Sequence, residues 1–460
     1  MTAERPEPAP IRLALVALAV VLGLRIFLAA RLPLVEDEAY YWLWSRNLAW
    51  GYFDHPPAIA GLIAAGCALF GKTELGVRAI GVALTVLCTV PLLRFARDPL
   101  RAAFLAGGIP LFALGGVLAT PDIPLLAGWS LGLASALGGR WTVAGLAIGF
   151  AALGKYTAWG FWPLVLVACP REWKAIARGV LVSLLVTAPN LWWLSQNEWV
   201  SVAFQLGHGL DRPPGGALNF FGAQVGLAGP ITFLAFAGWA FTERHRLLRW
   251  AHRRDERADR TDLLLWFTTV PVLGFFTWAA TRGSGEANWA APAWVGVVVA
   301  LARAEGFLGR LAWIGAGTGL ALSGLVMAHA FSPLVVLEKD PTARLGLGRD
   351  LAASVQAWGV EPVYTSRYQE AAVISWYAGI EAVALPGVDR RDQFDLWPTP
   401  WAERALFVRQ RRSGLDAVVD RFCSDRGGEN VVTEFNADGS VIDRWQVYEV
   451  SGCGPEGAAR

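Results

Sequence analysis

Charged residues are scarce in this sequence. Asp, Glu, Lys and Arg make up 17% of its 460 residues, whereas 54% are hydrophobic. Soluble domains carry about a quarter charged residues, so this composition excludes a soluble protein with a wholly aqueous surface. The net charge of +2 indicates little, because in a membrane protein the placement of charge matters more than its sum.

Lysine is especially rare, with only Lys72, Lys155, Lys174 and Lys339. A lysine next to an apolar stretch is therefore notable. A cleavable signal peptide would have a basic region, a shorter apolar core and a small-residue cleavage site, whereas the apolar run after MTAERPEPAPIR is about 18 residues long and ends in Arg31 and Pro33. We therefore interpret the apolar run that follows as a first transmembrane helix.

Apolar runs predict about eleven membrane spans, near 11–31, 75–94, 101–119, 122–138, 141–154, 157–169, 176–194, 221–242, 262–281, 288–303 and 308–330. The positive-inside rule fixes their orientation. With the N-terminus inside, the loop of seven arginines from Arg244 to Arg260 also lies inside. Treating 141–169 as one span would place that loop outside, so the two short runs are kept separate.

The opposite side receives the loop 32–73 and everything after Phe331. In that loop, Tyr40–Trp50 and Pro57–Phe70 favour helices that lie in the membrane interface. Residues 1–331 are predicted to form a transmembrane catalytic domain, and 332–460 a soluble periplasmic α/β domain. Cys423 and Cys453 in that second domain could form a disulfide, whereas Cys67, Cys88 and Cys169 are small core residues.

Polar clusters in the apolar part all fall on the outer face. Three of them contain acids, and each has a structural alternative: a solvated loop, a headgroup contact or a helix cap. They are Glu36-Asp37-Glu38, Asp54-His55 before two prolines, and Asp122 at the start of the fourth span. An acid at the mouth of a helix bundle is nevertheless a functional candidate.

Three further outer positions carry bases or amides. Lys155-Tyr156 ends the fifth span and either snorkels to the headgroups or binds an anion. The remaining clusters are Arg282 with Glu286, Asn288 and Trp289, and the loop with Gln205, His208, Asp211 and Arg212. Acids, bases and aromatic residues on one face suit a sugar donor attached to a lipid phosphate, because cations stabilise a departing phosphate.

Several motifs resemble the bacterial C-type glycosyltransferases of the protein-mannosyltransferase and aminoarabinose-transferase superfamily, above all its galacturonosyltransferase-like branch. They are DEAYYWLWSRNLAWGYFDHPPAIAGLI, LFGKTELGVR, TPDIPLLAGW, LGKYTAWGF, GEANWAAPAW and SRYQEAAVISWY. The resemblance implies a catalytic role for Asp37 and a second functional aspartate at Asp122. It also implies a phosphate-binding role for His55 and makes Asp54 with His208 a candidate pair for a divalent metal.

We therefore expect the C-type glycosyltransferase fold and an inverting transfer of a monosaccharide from a polyprenyl phosphate to an envelope acceptor. Asp37, Asp122 and Glu38 are the candidate catalytic residues, and His55, Lys155 and Arg282 the candidate ligands of the donor phosphate. Tyr40, Tyr52, Tyr156, Glu286, Asn288 and Trp289 are candidate substrate contacts. The partners expected are the donor, a lipid or glycan acceptor and the bilayer, with no nucleic acid, for a monomer in the bacterial inner membrane.

Two alternatives remain open from the sequence. A protein O-mannosyltransferase would differ in its acceptor. A transporter or flippase would show polar residues near the membrane midplane and repeated halves, neither of which is visible here.

Overall fold

The computed structural model describes residues 8–210, 216–253, 260–283, 286–332, 334–335, 340, 342–410, 421–435, 439 and 441–455. They divide into two compact units. The helical unit comprises the chain up to Ala30 together with Ala49–Met327, and the sheet unit comprises Arg31–Leu48 together with the chain from Ala328 onward.

The described part of the chain is mostly helical. Its α-helices are α1 (Pro8–Arg31), α2 (Glu36–Arg46), α3 (Ala58–Phe70), α4 (Glu74–Leu87), α5 (Pro99–Gly108), α6 (Pro110–Gly115), α7 (Asp122–Leu137), α8 (Trp141–Ala152), α9 (Phe161–Ala168), α10 (Trp173–Gln196), α11 (Val200–Leu210), α12 (Ala217–Ala228), α13 (Pro230–Arg253), α14 (Arg260–Phe267), α15 (Val270–Ala279), α16 (Ala291–Arg303), α17 (Gly306–Phe331), α18 (Arg349–Trp358) and α19 (Tyr368–Tyr377). Short 3₁₀ helices cover Val90–Phe95, Tyr156–Gly160, Pro170–Glu172, Ala287–Ala290 and Gln393–Asp395. The strands are β1 (Val363–Thr365), β2 (Ala382–Ala384), β3 (Arg404–Gln410), β4 (Cys423–Phe435) and β5 (Val441–Cys453).

Within the described residues, five helical segments are long and apolar enough to cross a membrane. They are Pro10–Arg31, Glu74–Phe95, Pro170–Gln196, Arg260–Ala279 and Gly306–Phe331. Other predicted spans are shorter or broken helices, such as α7 and α8. The predicted span 101–119 is divided between α5 and α6 because Pro110 has no N–H to continue the helix.

The predicted span 221–242 is bent rather than straight. Helix α12 meets Pro230–Arg244 at 108°. Gly229 at the break has a φ of +81°, a conformation that glycine adopts without a steric cost. Pro230 then begins the next helix at a position where its missing N–H has no partner to lose.

Helix α16 is the centre of the helical unit. Every residue from Ala291 to Ala302 is buried, as expected for a helix that is apolar on all faces. In the same unit, glycines allow α7 and α8, and α8 and α10, to approach each other closely. A Cβ at Gly128 would lie 2.4 Å from the Ala147 carbonyl oxygen, and one at Gly145 would lie 2.4 Å from that of Gly179. Close packing through small residues is typical of helices in membranes.

The sheet unit contains a mixed sheet in the order β2-β1-β3-β5-β4 within the described residues. Strand β1 is parallel to β2 and β3, whereas β5 is antiparallel to β3 and β4. A disulfide joins Cys423 to Cys453 at the end of the β4–β5 pair.

Helix α2 belongs to the sheet unit and packs on α19. The Trp42 and Trp376 rings meet edge to face at 5.1 Å, and the Tyr377 hydroxyl donates to the Leu34 carbonyl at 3.2 Å. The aromatic residues of α2, which suggested an interfacial helix, are buried within this unit.

A buried carboxyl group, that of Glu370, lies in the first turn of α19. Its Oε2 accepts hydrogen bonds from the Ser366 hydroxyl (3.0 Å) and the Arg367 amide (3.1 Å). Its Oε1 is buried and has no hydrogen-bond partner among the described residues. Burial raises the pKa of Glu370 to about 8, against the opposing charge of Arg367.

This raised pKa predicts a stability that depends on pH. Between the usual value of 4.5 and about 8, the folded protein keeps a proton that the unfolded chain loses, so stability falls as pH rises. In thermal unfolding of the full chain, Glu370→Gln should flatten that decline. Its Tm should exceed that of wild type by the largest margin near pH 8. The control Glu449→Gln should follow the wild-type slope between pH 5 and 8, since the Arg404 contact lowers the pKa of Glu449 from 4.5. Parallel curves for wild type and Glu370→Gln would contradict the assignment.

Candidate active site

Three predicted site residues meet in the helical unit. Asp122 begins α7, Lys155 follows α8, and Asn288 lies in the 3₁₀ helix before α16. Lys155 Nζ donates to Asp122 Oδ1 at 2.7 Å, and Asn288 Nδ2 donates to Asp122 Oδ2 at 2.8 Å. The Asp122 and Lys155 side chains are 15% and 12% exposed. We refer to these three residues as the Asp122 cluster.

The surrounding chain fixes the cluster in place. A Cβ at Gly154 would lie 2.7 Å from the Pro124 ring and 2.9 Å from the Leu125 amide nitrogen, so only glycine lets the segment before Lys155 approach α7 this closely. On the other side, Gln224 of α12 donates to the Ala287 carbonyl at 2.7 Å and accepts from the Trp294 indole at 3.0 Å. Gln224 thus anchors the 3₁₀ helix that carries Asn288.

The structure shows the contacts of the Asp122 and Lys155 side chains. The Asp122 side chain makes no cap at the start of α7, and Lys155 pairs with it instead of snorkelling to the surface. An ammonium group has three donors, and this one uses a single donor within the described residues. The cluster therefore offers an oriented carboxylate beside a cation that can still bind an anionic group.

The segment with Asp54 and His55 is held through its backbone by side chains from α10 and α11. Asn190 donates to the Trp50 carbonyl at 2.7 Å, Ser201 to the Tyr52 carbonyl, and Gln205 to the Asp54 carbonyl at 2.7 Å. Gln205 Nε2 also lies 3.4 Å from His55 Nδ1. Asp54 is buried and His55 half-buried. These contacts fix the loop and leave the His55 ring partly accessible.

The acidic segment 36–38 lies in the sheet unit. Asp37 Oδ1 accepts a hydrogen bond from the Tyr368 hydroxyl at 3.2 Å, and Glu38 accepts from the Val35 amide at 3.1 Å. Burial raises the pKa of Glu36, which Arg344 at 3.5 Å opposes. Of the three acids, Glu38 matches the predicted helix-start role, because its carboxylate closes the first turn of α2.

Tyr40 supports the same segment. Its ring lies 4.3 Å from that of Tyr368, and its hydroxyl accepts from the Gln393 amide at 2.8 Å. Tyr40 thereby packs on the tyrosine that donates to Asp37. Arg390 adds a cation 4.6 Å above the Tyr368 ring.

The remaining predicted residues are dispersed. Arg282 is exposed and lies 5.7 Å over the Trp278 ring, away from the contacts of Asp122. The Glu286 carbonyl accepts from the Trp289 amide, and the Trp289 ring faces Phe276. The Tyr52 hydroxyl accepts from the Ala49 amide at 3.1 Å, and the Tyr156 phenol lies beside Ser201 and Asn190.

The candidate metal pair stays a prediction. The His208 side chain, Asp211 and Arg212 lie outside the described residues. Across the residues that the structure describes, no three His, Cys, Asp or Glu side chains converge as a metal-ligand set. Asp54 alone does not supply the ligands that a divalent cation requires.

Several residues that position the site were not predicted from the sequence. Tyr368 lies in the motif SRYQEAAVISWY, and Asn190 and Gln224 are amides within apolar helices. A polar residue inside a predicted span is a functional or structural candidate by default. Both amides could therefore have been selected as candidates from the sequence. The contact of Tyr368 with Asp37 had no local signal, since 331 positions separate the two residues.

Comparisons with known proteins identify relatives of the chain by sequence and by fold. Residues 54–193 match a family described as dolichyl-phosphate-mannose-protein mannosyltransferase. The chain is 32% identical to the lipid A galacturonosyltransferase RgtD of Rhizobium johnstonii, over 58% of this chain and 59% of that protein. The match thus spans somewhat more than half of this relative's length.

Solved structures share the fold. Crystal structures of ArnT from Cupriavidus metallidurans, in the apo state and bound to undecaprenyl phosphate, each superpose with a TM-score of 0.64 at 18% identity. The superpositions cover 94% and 96% of this chain, and 97% and 99% of the ArnT chains. The chain therefore has the predicted C-type glycosyltransferase fold. Together these matches confirm the resemblance of the chain to the protein-mannosyltransferase and aminoarabinose-transferase superfamily and to its galacturonosyltransferase-like branch.

Proposed function

We propose that this protein is an inverting glycosyltransferase that moves a monosaccharide from a polyprenyl phosphate to lipid A or another envelope acceptor. The observation that carries the proposal is the Asp122 cluster, a carboxylate held by an ammonium and an amide. The similarity to RgtD supports a lipid A acceptor and a galacturonosyl group, and the similarity to ArnT bound to undecaprenyl phosphate supports a polyprenyl-phosphate donor.

We place the enzyme in the bacterial inner membrane as a monomer with its active site on the periplasmic face. The arginine-rich loops between predicted spans support this orientation. About eleven spans would belong to a catalytic domain of residues 1–331, with short helices such as α7 and α8 counted as spans. Residues 332–460 would form a periplasmic α/β domain, which the sheet and the disulfide of the sheet unit support.

The proposed reaction is a single displacement at the anomeric carbon. An acceptor hydroxyl oxygen forms the new bond to that carbon as the bond to the donor phosphate oxygen breaks, and the configuration inverts. Asp37 takes the hydroxyl proton as general base, and the polyprenyl phosphate leaves as an anion. If the acceptor is itself a phosphate, no base is required and Asp37 positions it.

The other site residues orient the acceptor and neutralise the departing phosphate. Asp122 orients the acceptor, while Lys155 and His55 bind the departing phosphate and stabilise its developing charge. Arg282, which lies over the Trp278 ring apart from the Asp122 cluster, is a further candidate for this role. Lys155 can bind Asp122 and the phosphate at the same time, because its hydrogen bond to Asp122 leaves other N–H donors for a phosphate oxygen. Tyr156 and Trp289, which are partly accessible, supply rings for the sugar, whereas the Tyr40 and Tyr52 rings are buried and hold the surrounding chain.

Two other activities would be distinguished by product. A protein O-mannosyltransferase, the activity named in the description of the family that matches 54–193, would label protein rather than lipid. A flippase would move the donor lipid between leaflets and release no sugar from it.

The direct test is transfer by the purified protein in lipid with a panel of polyprenyl-phosphate sugars and an envelope extract. We expect label in the lipid A or glycan fraction, with an inverted anomeric configuration by NMR. Asp37→Asn should lower turnover about 10²- to 10⁴-fold, the usual contribution of a general base. The control Asp389→Asn, an exposed aspartate of the same unit, should retain activity. Unchanged turnover in folded Asp37→Asn would overturn the role of Asp37, and label in protein alone would overturn the acceptor.

A second prediction concerns Tyr368, which donates to Asp37. Tyr368→Phe should lower kcat about 10-fold with little change in KM, because a hydrogen bond to a charged group contributes roughly 1.5–3 kcal/mol. Tyr377→Phe removes a hydroxyl of the same helix that donates to a backbone carbonyl, and it should leave kcat unchanged. Equal kcat values for the two variants would show that Tyr368 only stabilises the fold.

A further inference from the structure

A cavity of about 40 Å³ lies inside the helical unit around the side chain of Arg25. Arg25 is only 3% exposed. Thr85, Thr89 and Ser130 line the polar part of the cavity, and Leu126, Val295 and Val298 line the apolar part. The proposed reaction uses none of these residues.

The guanidinium is fixed in the cavity by neutral groups. Arg25 Nη1 donates to the Thr85 hydroxyl at 3.0 Å, and Nη2 lies 3.5 Å from the Ala106 carbonyl oxygen. The helical partner of that carbonyl would be the N–H of residue 110, which is a proline. A Cβ at Gly116 would lie 2.7 Å from Arg25 Nη1, so the glycine makes room for the charge.

The charge of Arg25 has no counter-charge in the part of the chain that the structure describes. Its hydrogen bonds go to a hydroxyl and a carbonyl, although a guanidinium has five donors. The buried Arg101 provides a contrast, because it contacts three carbonyls and also lies 3.9 Å from Asp98. A charge buried in a membrane domain without a counter-charge is strongly destabilising.

We propose that the cavity binds one small monovalent inorganic anion, such as chloride, beside Arg25. One water molecule needs roughly 10–15 Å³ of cavity volume. The cavity of about 40 Å³ therefore fits a small ion and is too small for a lipid headgroup. The Ser130 hydroxyl lines the cavity and offers a further donor. The valine and leucine side chains disfavour a fully hydrated guanidinium.

The cavity also has a defined place relative to the Asp122 cluster. Leu126 and Ser130 lie one and two turns beyond Asp122 on α7, and Val295 lies two turns beyond Asn288. At a rise of about 1.5 Å per residue, Ser130 is roughly 12 Å deeper than Asp122. The bound anion would therefore neutralise a charge beneath the cluster without occupying the proposed donor site.

The test measures thermal unfolding of the purified full-length protein, with sodium gluconate replaced stepwise by sodium chloride or bromide at constant ionic strength. Wild-type Tm should rise saturably in both halides, by about 2 °C at ten times the dissociation constant. Arg25→Met should lose this response. Arg101→Met should lower Tm but retain the halide response, because Arg101 has Asp98 nearby.

If Arg25→Met does not fold, Ser130→Ala replaces it and should weaken the apparent halide affinity several-fold. A wild-type Tm that is insensitive to halide, or an equal response in Arg25→Met, would overturn the proposal and leave a water-filled cavity. The measurement needs no turnover, so its outcome is independent of the proposed transfer reaction.

Discussion

The bond between Lys155 and Asp122 is the interaction on which the site in the helical unit depends. It joins the start of α7 to the end of α8, and Asn288 ties the same carboxylate to the segment before α16. Three distant parts of the chain therefore converge on two oxygen atoms. Because the pair is partly buried, leaving either partner alone would be costly.

The helices beneath the cluster are built to permit this convergence. Glycines bring α7, α8 and α10 together at backbone distance, and α16 is buried on every side. Prolines and glycines break several spans into shorter helices, as at Pro110 and Gly229. The break at Pro110 frees the Ala106 carbonyl, which Arg25 approaches at 3.5 Å.

The sequence predicted most of the helices and the class of fold. The predicted span at 122–138 corresponds to α7, which begins at Asp122, because an acid and a proline before an apolar run are local signals of a helix start. The family motifs likewise identified Asp37 and Asp122 as candidates. The bend at Gly229 was missed because hydropathy alone does not distinguish a straight span from a broken one.

Contacts between distant residues had no comparable signal. Tyr368 and Asp37 are 331 residues apart, and Gln224 reaches a carbonyl 63 residues away. The aromatic residues of α2 are typical of a membrane interface by composition, yet α19 and its neighbours bury them. Composition shows that a surface prefers an apolar or amphipathic partner, and only the fold determines which partner is present.

The central claim, that the Asp122 cluster serves a lipid phosphate, is tested most directly by the affinity for polyprenyl phosphate. Native mass spectrometry would compare wild type, Lys155→Gln and Lys174→Gln, with polyprenol as the neutral reference ligand. Removing one charge-assisted hydrogen bond costs about 1.5–3 kcal/mol, so Lys155→Gln should bind the phosphate about 10- to 100-fold more weakly. It should bind polyprenol normally, and Lys174→Gln should match wild type for both ligands. Equal phosphate affinity in wild type and Lys155→Gln would contradict the account.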